Sequence, residues 1–269
     1  MKNIIITGGN DGIGLELVKL LAAEGHRLGL VVRDESRVAA FANIPTAKNF
    51  TYFYADLADR EQLAQAVKAI QEKFPMIDLL FNNAGIQLGG LQFSKQDNEM
   101  QFEVNALAPY LLTQALRPHL AKAQNAKVIN TSSGAAKMAD TLKVGELVHP
   151  SGFNKMNGPY AQSKLALSFW TYLLADGFEQ EGIQLCSVDP GGNKTKMTKG
   201  PGMPLLFLLL RPFIFKSPTY GAKLLYEAAF FNKNAQKGAF LMKNKPVALP
   251  VFQAGTEEKQ AFLQLLQQR

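Results

Sequence analysis

Cysteine is almost missing from this sequence, whose 269 residues include only Cys186. A single cysteine excludes an internal disulfide, which is consistent with a reducing compartment. We interpret Cys186 as a small buried residue of a strand.

Long apolar runs are missing too. The apolar stretch 203–215 is interrupted by Arg211 and Pro212, and it is shorter than the roughly 20 residues that a bilayer-spanning helix needs.

Basic runs are also lacking, although the chain has 29 Lys and Arg against 22 Asp and Glu and a formal net charge of +7. The basic residues are scattered, and no basic run with interleaved aromatics occurs, which argues against nucleic-acid binding. A phosphate-bearing ligand accounts for the charge more simply. The apolar run after Lys2 stops at Thr7, so no secretory signal is predicted and we expect a cytoplasmic protein.

Strand-like and helix-like segments alternate along the whole chain, which predicts an α/β fold with a parallel sheet and helices on both faces. No segment resembles an interdomain linker and no internal repeat occurs, so residues 1–269 are expected to form one domain. The predicted strands are 4–7, 27–32, 50–55, 77–81, 126–131, 183–188 and 238–243, and the main predicted helices are 15–23, 59–73, 95–122, 160–181, 218–231 and 257–268.

A glycine-rich turn joins the first predicted strand to the first helix. Gly8, Gly12 and Gly14 lie within it, together with Asn10 and Ile13. Glycines let the backbone approach a pyrophosphate, and the helix N-terminus supplies unpaired N–H groups and a favourable dipole. The turn therefore predicts a phosphate site, and the alternative is a glycine-rich loop that serves turn geometry alone.

The end of the second predicted strand bears on the choice of dinucleotide. Arg33 stands 19 positions after Gly14 (33 − 14), near the place where an arginine binds the extra phosphate of NADP and a carboxylate binds the ribose of NAD. NADP is therefore favoured. NAD is the alternative, because Asp34 can take the ribose and Asp11 would repel a phosphate. Asp56, after the third strand, is a candidate adenine contact or a helix cap.

Small and polar residues follow three further strands. The segment Asn82–Gly85 would let the backbone pass close to a flat ligand, and Ser133 would open toward the crevice where ligands of open α/β sheets bind. Pro190 and Gly191 form a turn after another strand, where Thr195 is placed to hydrogen-bond a carboxamide. Each group also has a plainer interpretation, as a turn, a local backbone contact or a helix cap.

Asn105 lies in the middle of the predicted helix 95–122, among apolar neighbours. Asparagine is a poor helix former unless its side chain finds a partner, and Pro109 leaves the carbonyl of Asn105 without its helical donor. A kink with a buried amide is therefore expected there. The amide is interpreted as a water site or, alternatively, as a structural hydrogen bond.

Tyr160 and Lys164 lie four residues apart on one face of a predicted helix. A lysine ammonium beside a phenol favours phenolate, so we expect the pKa of Tyr160 to be lowered toward working pH. Such a phenol can give a proton to, or take one from, a carbonyl or alcohol oxygen. The alternative for this motif alone is an ordinary surface pair.

Two segments have no regular pattern. Residues 135–157 contain Pro150 and Gly152 and are predicted to be a surface insertion. Residues 192–216, which include the apolar stretch 203–215, are predicted to form a lid over an apolar substrate. An interfacial membrane contact and a partner surface are the second and third interpretations.

Together these residues resemble the short-chain dehydrogenase/reductase family, in particular its retinol-dehydrogenase-like branch. Their order and spacing match over nearly the whole chain, whereas each motif alone is weak evidence. The resemblance implies a three-layer Rossmann fold with a doubly wound parallel sheet of about seven strands. The matching motifs are Thr7–Gly8 with Gly12–Gly14, Asn82–Gly85, Asn105, Ser133, Tyr160–Lys164 and Pro190–Gly191.

The resemblance also implies a role for each residue. Tyr160 would be the acid/base, and Ser133 would polarise the substrate oxygen. Lys164 would lower the pKa of Tyr160 and hold the nicotinamide ribose, and Asn105 would hold a water that supplies protons to Lys164. The implied cofactor contacts are Gly8, Asn10, Gly12, Ile13 and Gly14 at the pyrophosphate, Arg33, Asp56 and Leu57 at the adenosine, Asn83, Ala84 and Gly85 along the cofactor, Tyr160 and Lys164 at the ribose, and Pro190, Gly191 and Thr195 at the nicotinamide amide.

The implied activity is reversible hydride transfer between NADP(H) and an apolar carbonyl or alcohol, with no metal site assigned. The family is also compatible with a homo-oligomer. Three alternatives stay open: a non-catalytic NAD(P)-binding sensor on the same fold, a nucleotide-sugar epimerase, and a membrane-surface adaptor. Three places depart from the usual family pattern, namely Asp11 in the glycine turn, Asp189 before the proline, and Gly192–Asn193 before the threonine.

Overall fold

The computed structural model describes residues 1–203, 210 and 214–269 of the chain. Its strands are β1 (Asn3–Thr7), β2 (Arg27–Val32), β3 (Thr51–Tyr54), β4 (Leu79–Asn82), β5 (Ala126–Thr131), β6 (Ile183–Asp189), β7 (Ala239–Met242) and β8 (Lys245–Pro246). They form one sheet in the order β3-β2-β1-β4-β5-β6-β7-β8. Strands β1 to β7 pair in parallel, and only the short β8 is antiparallel. The predicted parallel sheet of about seven strands is confirmed, with β8 as an addition.

Six helices connect or follow these strands in the described ranges. They are α1 (Gly12–Ala23), α2 (Arg60–Lys73), α3 (Ala108–Leu120), α4 (Pro159–Glu179), α5 (Pro218–Phe230) and α6 (Thr256–Gln267). Short 3-10 turns lie at Glu35–Phe41, Ala47–Asn49, Gly134–Met138, Val144–Glu146, Met197–Lys199 and Pro250–Gln253.

The strand side chains alternate between two cores, one on each face of the sheet. Ile5 and Leu80 belong to the core that packs against α2, α3 and α4. Ile4 and Phe81 belong to the core that packs against α1 and α5. Because both faces are covered by helices, the apolar strand runs are buried on both sides, and the predicted three-layer fold is confirmed.

The strand order reverses between β1 and β4, which are neighbours although two strands separate them in the sequence. At such a switch point the connections leave in opposite directions, so a crevice opens beyond the carboxyl ends of the two strands. The glycine turn follows β1 and the segment after Asn82 follows β4. The topology therefore places both predicted ligand motifs at the same crevice.

The predicted long helix 95–122 is interrupted and starts later than expected. A helical turn at Met100–Phe102 leads into a π-helical turn at Glu103–Leu107, and α3 follows directly. Pro109 has no N–H to donate, which explains why regular α-helical bonding fails just before it. The Trp170 indole N–H donates to the carbonyl of Ala106 at 3.1 Å, so a buried side chain satisfies this part of the turn.

The segment 135–157 is not only a surface insertion. Its apolar side chains enter the core on the α4 side of the sheet, and the Glu99 N–H donates to the carbonyl of Val148 at 2.8 Å. The surface assignment was wrong because it weighed Gly and Pro and overlooked the spaced apolar residues. The buried ones are Ala136, Ala139, Leu142, Leu147 and Val148.

The predicted lid is described only at its two ends. Residues 204–209 and 211–213 lie outside the described part of the chain. The β-carbon position of Gly192 lies 2.1 Å from the ring of Phe215, so only glycine allows the two ends of this segment to touch. No helix in 1–203 or 214–269 is long and apolar enough to cross a membrane.

Candidate active site

A cleft of about 770 Å³ opens at the crevice between β1 and β4. It extends along the carboxyl edge of the sheet from β3 to β6 and reaches the first turn of α4. Every predicted site residue except Asn105 lines it: Gly8, Asn10, Gly12, Ile13, Gly14, Arg33, Asp56, Leu57, Asn83, Ala84, Gly85, Ser133, Tyr160, Lys164, Pro190, Gly191 and Thr195.

The glycine turn packs too closely for side chains. A β-carbon on Gly14 would stand 2.1 Å from the carbonyl oxygen of Gly8. The side-chain amide of Asn83 donates to the carbonyls of Thr7 and Gly8 at 3.2 and 3.0 Å, which joins the turn to the end of β4. Gly12, Ile13 and Gly14, the first residues of α1, line the cleft, so the N-terminus of this helix, which favours an anion, faces it.

Arg33 and Asp56 form an ion pair at one end of the cleft, with 3.3 Å between Arg33 Nε and Asp56 Oδ2. Asp56 does not cap α2; Asp59 does, by accepting from the N–H groups of Glu61 and Gln62. The cap interpretation of Asp56 was therefore wrong, whereas its place beside the predicted adenosine site is observed.

Asp34 does not line the cleft and caps the 3-10 turn Glu35–Phe41. Its carboxylate accepts from the Ser36 N–H at 3.0 Å and pairs with Arg37 at 3.6 Å. The hydrogen bond from the Ser36 side chain is the main reason that the pKa of Asp34 is lowered. Arg37 lines the cleft beside Arg33 and was missed from the sequence. The 3-10 turn brings it back toward the strand end, which no local pattern had indicated.

Asp11 in the glycine turn has both carboxylate oxygens engaged. One accepts from the Gly12 N–H at 2.7 Å, and the other pairs with Lys196 at 3.1 Å. Lys196 comes from the segment after β6 and also lines the cleft. The predicted repulsion between Asp11 and a phosphate is therefore offset by a cation that is distant in sequence.

Ser133 at the end of β5 and Tyr160 at the start of α4 line the same part of the cleft, and the Ser133 hydroxyl lowers the pKa of the phenol. The Ser133 hydroxyl also accepts from the Ala135 N–H at 3.2 Å, so the alternative interpretation, a local backbone contact, is observed. The preceding residue, Ser132, is buried, with its hydroxyl 2.8 Å from that of Ser168. Lys164 is only 3% exposed, and its ammonium donates to the carbonyl of Thr131 at 2.8 Å.

The pKa of Tyr160 is raised, not lowered as expected from the sequence. Burial is the main cause, and the carboxylate of Asp189 adds to it, while the hydrogen bond from Ser133 acts in the opposite direction. Burial also lowers the pKa of Lys164 from 10.5 to about 7. The expectation was wrong because it assumed a full ammonium charge directed at the phenol. Lys164 is only partly charged near neutrality, and it is bonded to Thr131.

Asn105 lies behind the cleft and is fully buried. Its Oδ1 accepts from the Ile86 N–H at 2.8 Å, and its Nδ2 donates to the Ile86 carbonyl and to Ser163. The structural hydrogen bond is thus observed. Both Asn105 Oδ1 and Lys164 Nζ lie within 3.3 Å of the position that a β-carbon of Gly85 would take. The glycine leaves room between the two groups, and the water role of Asn105 stays a prediction.

Asn193, one of the departures from the family pattern, stabilises the turn after β6. Its Nδ2 donates to the carbonyls of Pro190 and Gly191, both at 2.8 Å, and its Oδ1 accepts from the Gly221 N–H at 3.1 Å. The turn is thereby joined to α5. Thr195 Oγ1 accepts from the Thr198 N–H at 3.5 Å. The plainer interpretation of Thr195, a contact with the local backbone, is therefore also observed.

Apolar side chains form the other side of the cleft. Met138 and Met156 are each 41% exposed, which is high for a methionine. They come from the segment 135–157, and others come from the ends of the predicted lid. The apolar residues lining this part are Leu88, Met138, Met156, Met197, Met203 and Phe215. Met197, Met203 and Phe215 belong to the predicted lid segment 192–216, whereas Leu88, Met138 and Met156 were missed because the segments that carry them are far away in the chain.

The fold and the cleft define a Rossmann-type α/β protein with its site at the topological switch point. The family model for short chain dehydrogenases matches residues 2–202. The chain belongs to the short-chain dehydrogenase family, which confirms the resemblance of the motifs. Relatives named retinol dehydrogenase 11, 12 and 13 support the retinol-dehydrogenase-like branch.

Individual relatives match over most of this chain. Human retinol dehydrogenase 13 is 29% identical over 206 residues, which make up 75% of this chain and 62% of that protein. This chain thus spans less than two thirds of the length of that relative. Human polyprenol dehydrogenase is 30% identical over 81% of this chain and 69% of its own length. The NADPH-bound carbonyl reductase from chicken fatty liver is 25% identical, with a TM-score of 0.71 over 92% of this chain and 99% of that one.

Proposed function

We propose that this protein is an NADP(H)-dependent oxidoreductase that interconverts an apolar carbonyl compound and its alcohol. The observation that carries the proposal is the single cleft in which the glycine turn meets Ser133, Tyr160 and Lys164. A proton donor and a polarising hydroxyl at the end of a dinucleotide-sized groove are suited to chemistry at a carbonyl oxygen.

The residues of the cleft fit a dinucleotide. The backbone at Gly14 has no room for a β-carbon, and the N-terminus of α1 presents N–H groups for a pyrophosphate. A nicotinamide cofactor bound there would supply the hydride. We propose that the residues that hold it are Gly8, Asn10, Gly12, Ile13 and Gly14 at the pyrophosphate, Arg33, Asp56 and Leu57 at the adenosine, Asn83, Ala84 and Gly85 along the groove, Tyr160 and Lys164 at the ribose, and Pro190, Gly191 and Thr195 at the carboxamide.

Tyr160 is the proposed proton donor. Its raised pKa means that the phenol is protonated at neutral pH, as an acid for carbonyl reduction must be. The Ser133 hydroxyl lines the cleft beside the phenol, and we propose that it donates its proton to the substrate oxygen. Lys164 is placed between Thr131 and the space beside Gly85, from which we propose that it returns protons to the phenol.

The choice of NADP over NAD is supported by the side chains at the end of β2. Arg33 and Arg37 both line the cleft, whereas Asp34 is bonded to Ser36 and Arg37 and does not line it. A carboxylate that does not line the groove and already has two partners is poorly placed to take a ribose hydroxyl. Two guanidinium groups there favour a phosphate, which they can bind through charge-assisted hydrogen bonds.

Removing the two guanidinium groups is expected to reverse the cofactor preference. Arg33→Ala and Arg37→Ala should each weaken NADPH binding about 10- to 100-fold, because a hydrogen bond to a charged group contributes about 1.5–3 kcal/mol. NADH binding should change by less than about threefold, since NADH lacks that phosphate. Calorimetric titration of both dinucleotides measures this, with Arg117→Ala, whose side chain pairs with Glu181, as the control. Equal losses for both dinucleotides would rule out an NADP-specific role.

The apolar side of the cleft supports an apolar substrate. Methionine side chains are flexible and polarisable, so Met138 and Met156 can fit apolar groups of different shapes. The names of the relatives, retinol dehydrogenase and polyprenol dehydrogenase, agree with an alcohol of this kind. The test is NADPH oxidation, followed by nicotinamide absorbance, with a panel of aromatic, long-chain and small polar aldehydes and ketones. We expect the apolar members to be reduced fastest.

A non-catalytic sensor is the alternative that the same measurements address. If the protein binds NADPH tightly and reduces no member of a broad panel, the sensor is favoured. The presence of Ser133, Tyr160 and Lys164 in one cleft argues against it, because dinucleotide binding alone has no need of a serine hydroxyl beside a phenol.

A further inference from the structure

A second concave space lies beside the active-site cleft, along the segment 135–157, and the proposed function gives it no role. We refer to it as the insertion groove. Its volume is about 340 Å³, and Thr141, Phe153, Asn154 and Gln162 are among the residues that line it. Small-molecule sites have volumes of roughly 300–1,000 Å³. The insertion groove is therefore large enough to hold a small ligand or one end of a longer one.

Met138 lies where the insertion groove meets the active-site cleft, because its side chain lines both. It belongs to the 3-10 turn that begins directly after Ser133, and it is 41% exposed. Methionine is unbranched and has three rotatable side-chain bonds, so it adapts to the shape of its neighbours. A change of the Met138 rotamer can therefore adjust the passage between the two spaces.

The turn before α4 forms the other boundary. Asn154 and Asn157 line the insertion groove, whereas Lys155, Met156 and Tyr160 line the active-site cleft. The Asn154 side chain accepts from the N–H groups of Met156 and Asn157 at 2.7 and 3.3 Å, which holds the turn together. The two spaces therefore lie on opposite sides of one short stretch of chain, next to the proposed proton donor.

The volume of the active-site cleft limits the substrate that it can hold alone. Its 770 Å³ would have to contain a dinucleotide as well as the substrate, although a volume of this size is typical for one drug-sized ligand. A short carbonyl compound fits beside a dinucleotide more easily than a long one. The far end of a long substrate needs space outside the cleft, and the insertion groove is directly adjacent.

The lining residues indicate the chemistry of such a substrate. Met138 and Met156 make the junction apolar, whereas Thr141 and Asn157 give the insertion groove a partly polar wall. Lys143 in the groove is paired with Glu146, with 3.7 Å between Nζ and Oε2, so an anionic end group is not required. A neutral polar group at the end of an apolar chain suits this sequence of surfaces.

We propose that the insertion groove binds the far end of an elongated substrate, whose carbonyl or alcohol group lies at Tyr160 and whose chain passes Met138. The substrate class is a long apolar aldehyde, ketone or alcohol with a neutral polar group, such as a hydroxyl, at its far end. This inference rests on the proposed function and makes its substrate more specific.

The first test narrows the insertion groove without touching the cleft. Gly152 lines the groove, and a β-carbon there would meet no atom within 4 Å, so a large side chain can be introduced. In Gly152→Trp we expect kcat/KM for NADPH-dependent reduction of ω-hydroxydodecanal to fall about tenfold, as when the burial of about two methylene groups is lost. With butanal it should change by less than about twofold, because a short chain does not reach the groove.

Gly145→Trp is the matched control. Gly145 belongs to the same segment and also has no atom within 4 Å of its β-carbon position, but it lines neither the cleft nor the insertion groove. It should leave kcat/KM for both aldehydes unchanged. Equal behaviour of the two aldehydes in Gly152→Trp, or the same selective loss in Gly145→Trp, would overturn the proposal.

A second test needs no turnover. A long-chain alcohol with a diazirine at its far end is irradiated in the presence of NADPH and the full-length protein, and the labelled residues are located by mass spectrometry. We expect the label within residues 139–154. Label confined to residues 86–91 or 197–203, or no label, would contradict the proposal. A labelled groove in a protein that reduces no aldehyde would count against the proposed function alone, and an unlabelled groove in an active enzyme against this inference alone.

Discussion

Turnover by Tyr160→Phe is expected to fall at least about 10³-fold, within the range by which a positioned acid or base accelerates proton transfer. Phenylalanine keeps the ring in its pocket and removes only the hydroxyl. The Ser133 hydroxyl remains in the variant and still accepts from the Ala135 N–H at 3.2 Å, but it does not replace the phenol as the proposed proton donor. Binding of NADPH should weaken by about tenfold at most, because the phenol is only one proposed contact to the ribose and the pyrophosphate and adenosine sites are not altered.

Tyr172→Phe is the control for this substitution. Tyr172 lies on the same helix, α4, but it is 38% exposed and stacks on Phe252 with ring centroids 4.3 Å apart. Its loss of a hydroxyl should leave both turnover and NADPH binding unchanged. Initial rates with a saturating apolar aldehyde and calorimetric titration of NADPH measure the two effects. If Tyr160→Phe kept even a tenth of wild-type turnover, the phenol would not be the proton donor.

The fold was predictable because its signals are local. The strands from Asn3–Thr7 to Ala239–Met242 are short, mostly apolar runs followed within a few residues by polar or turn-forming residues, and the helices between them have spaced apolar residues. Parallel strands with helical connections then admit few arrangements. The π-helical turn at Glu103–Leu107 shows the limit of this reasoning, since Pro109 indicated a kink but not its form.

The site was predictable only where its residues belong to motifs with fixed spacing. Tyr160 and Lys164 share one helix, and the glycine turn is continuous, so their geometry follows from the chain itself. Residues from other segments of the chain line the cleft beside Arg37, Lys196 and Asp189. No spacing in the sequence shows those contacts. The pKa values depend on burial, which is also produced by residues that are distant in sequence. The pKa of Tyr160 was therefore expected to be lowered, whereas it is raised.

Lys164→Met is expected to make the fold more stable while it impairs the site. The wild-type ammonium is 3% exposed and has the Thr131 carbonyl as its hydrogen-bond partner. Lowering its pKa from 10.5 to about 7 corresponds to about 5 kcal/mol of unfavourable burial. Methionine has a similar length and no charge. The Thr131 carbonyl loses its donor in the variant, which costs about 1–3 kcal/mol. We therefore expect a net gain of about 2–4 kcal/mol in the free energy of unfolding at pH 7.

The pH dependence distinguishes this cause from better packing. Between about pH 7 and 10.5 the unfolded chain binds a proton at Lys164 that the folded protein has released, so wild-type stability rises with pH across this window. The advantage of Lys164→Met should be full at pH 7 and below, and should shrink as the pH approaches 10.5. Denaturant unfolding at several pH values measures it, with exposed Lys223→Met on α5 as the control. A gain in the free energy of unfolding that does not vary with pH would show that burying the Lys164 ammonium does not destabilise the fold. Turnover should fall in the variant, because Lys164 no longer supplies protons to Tyr160.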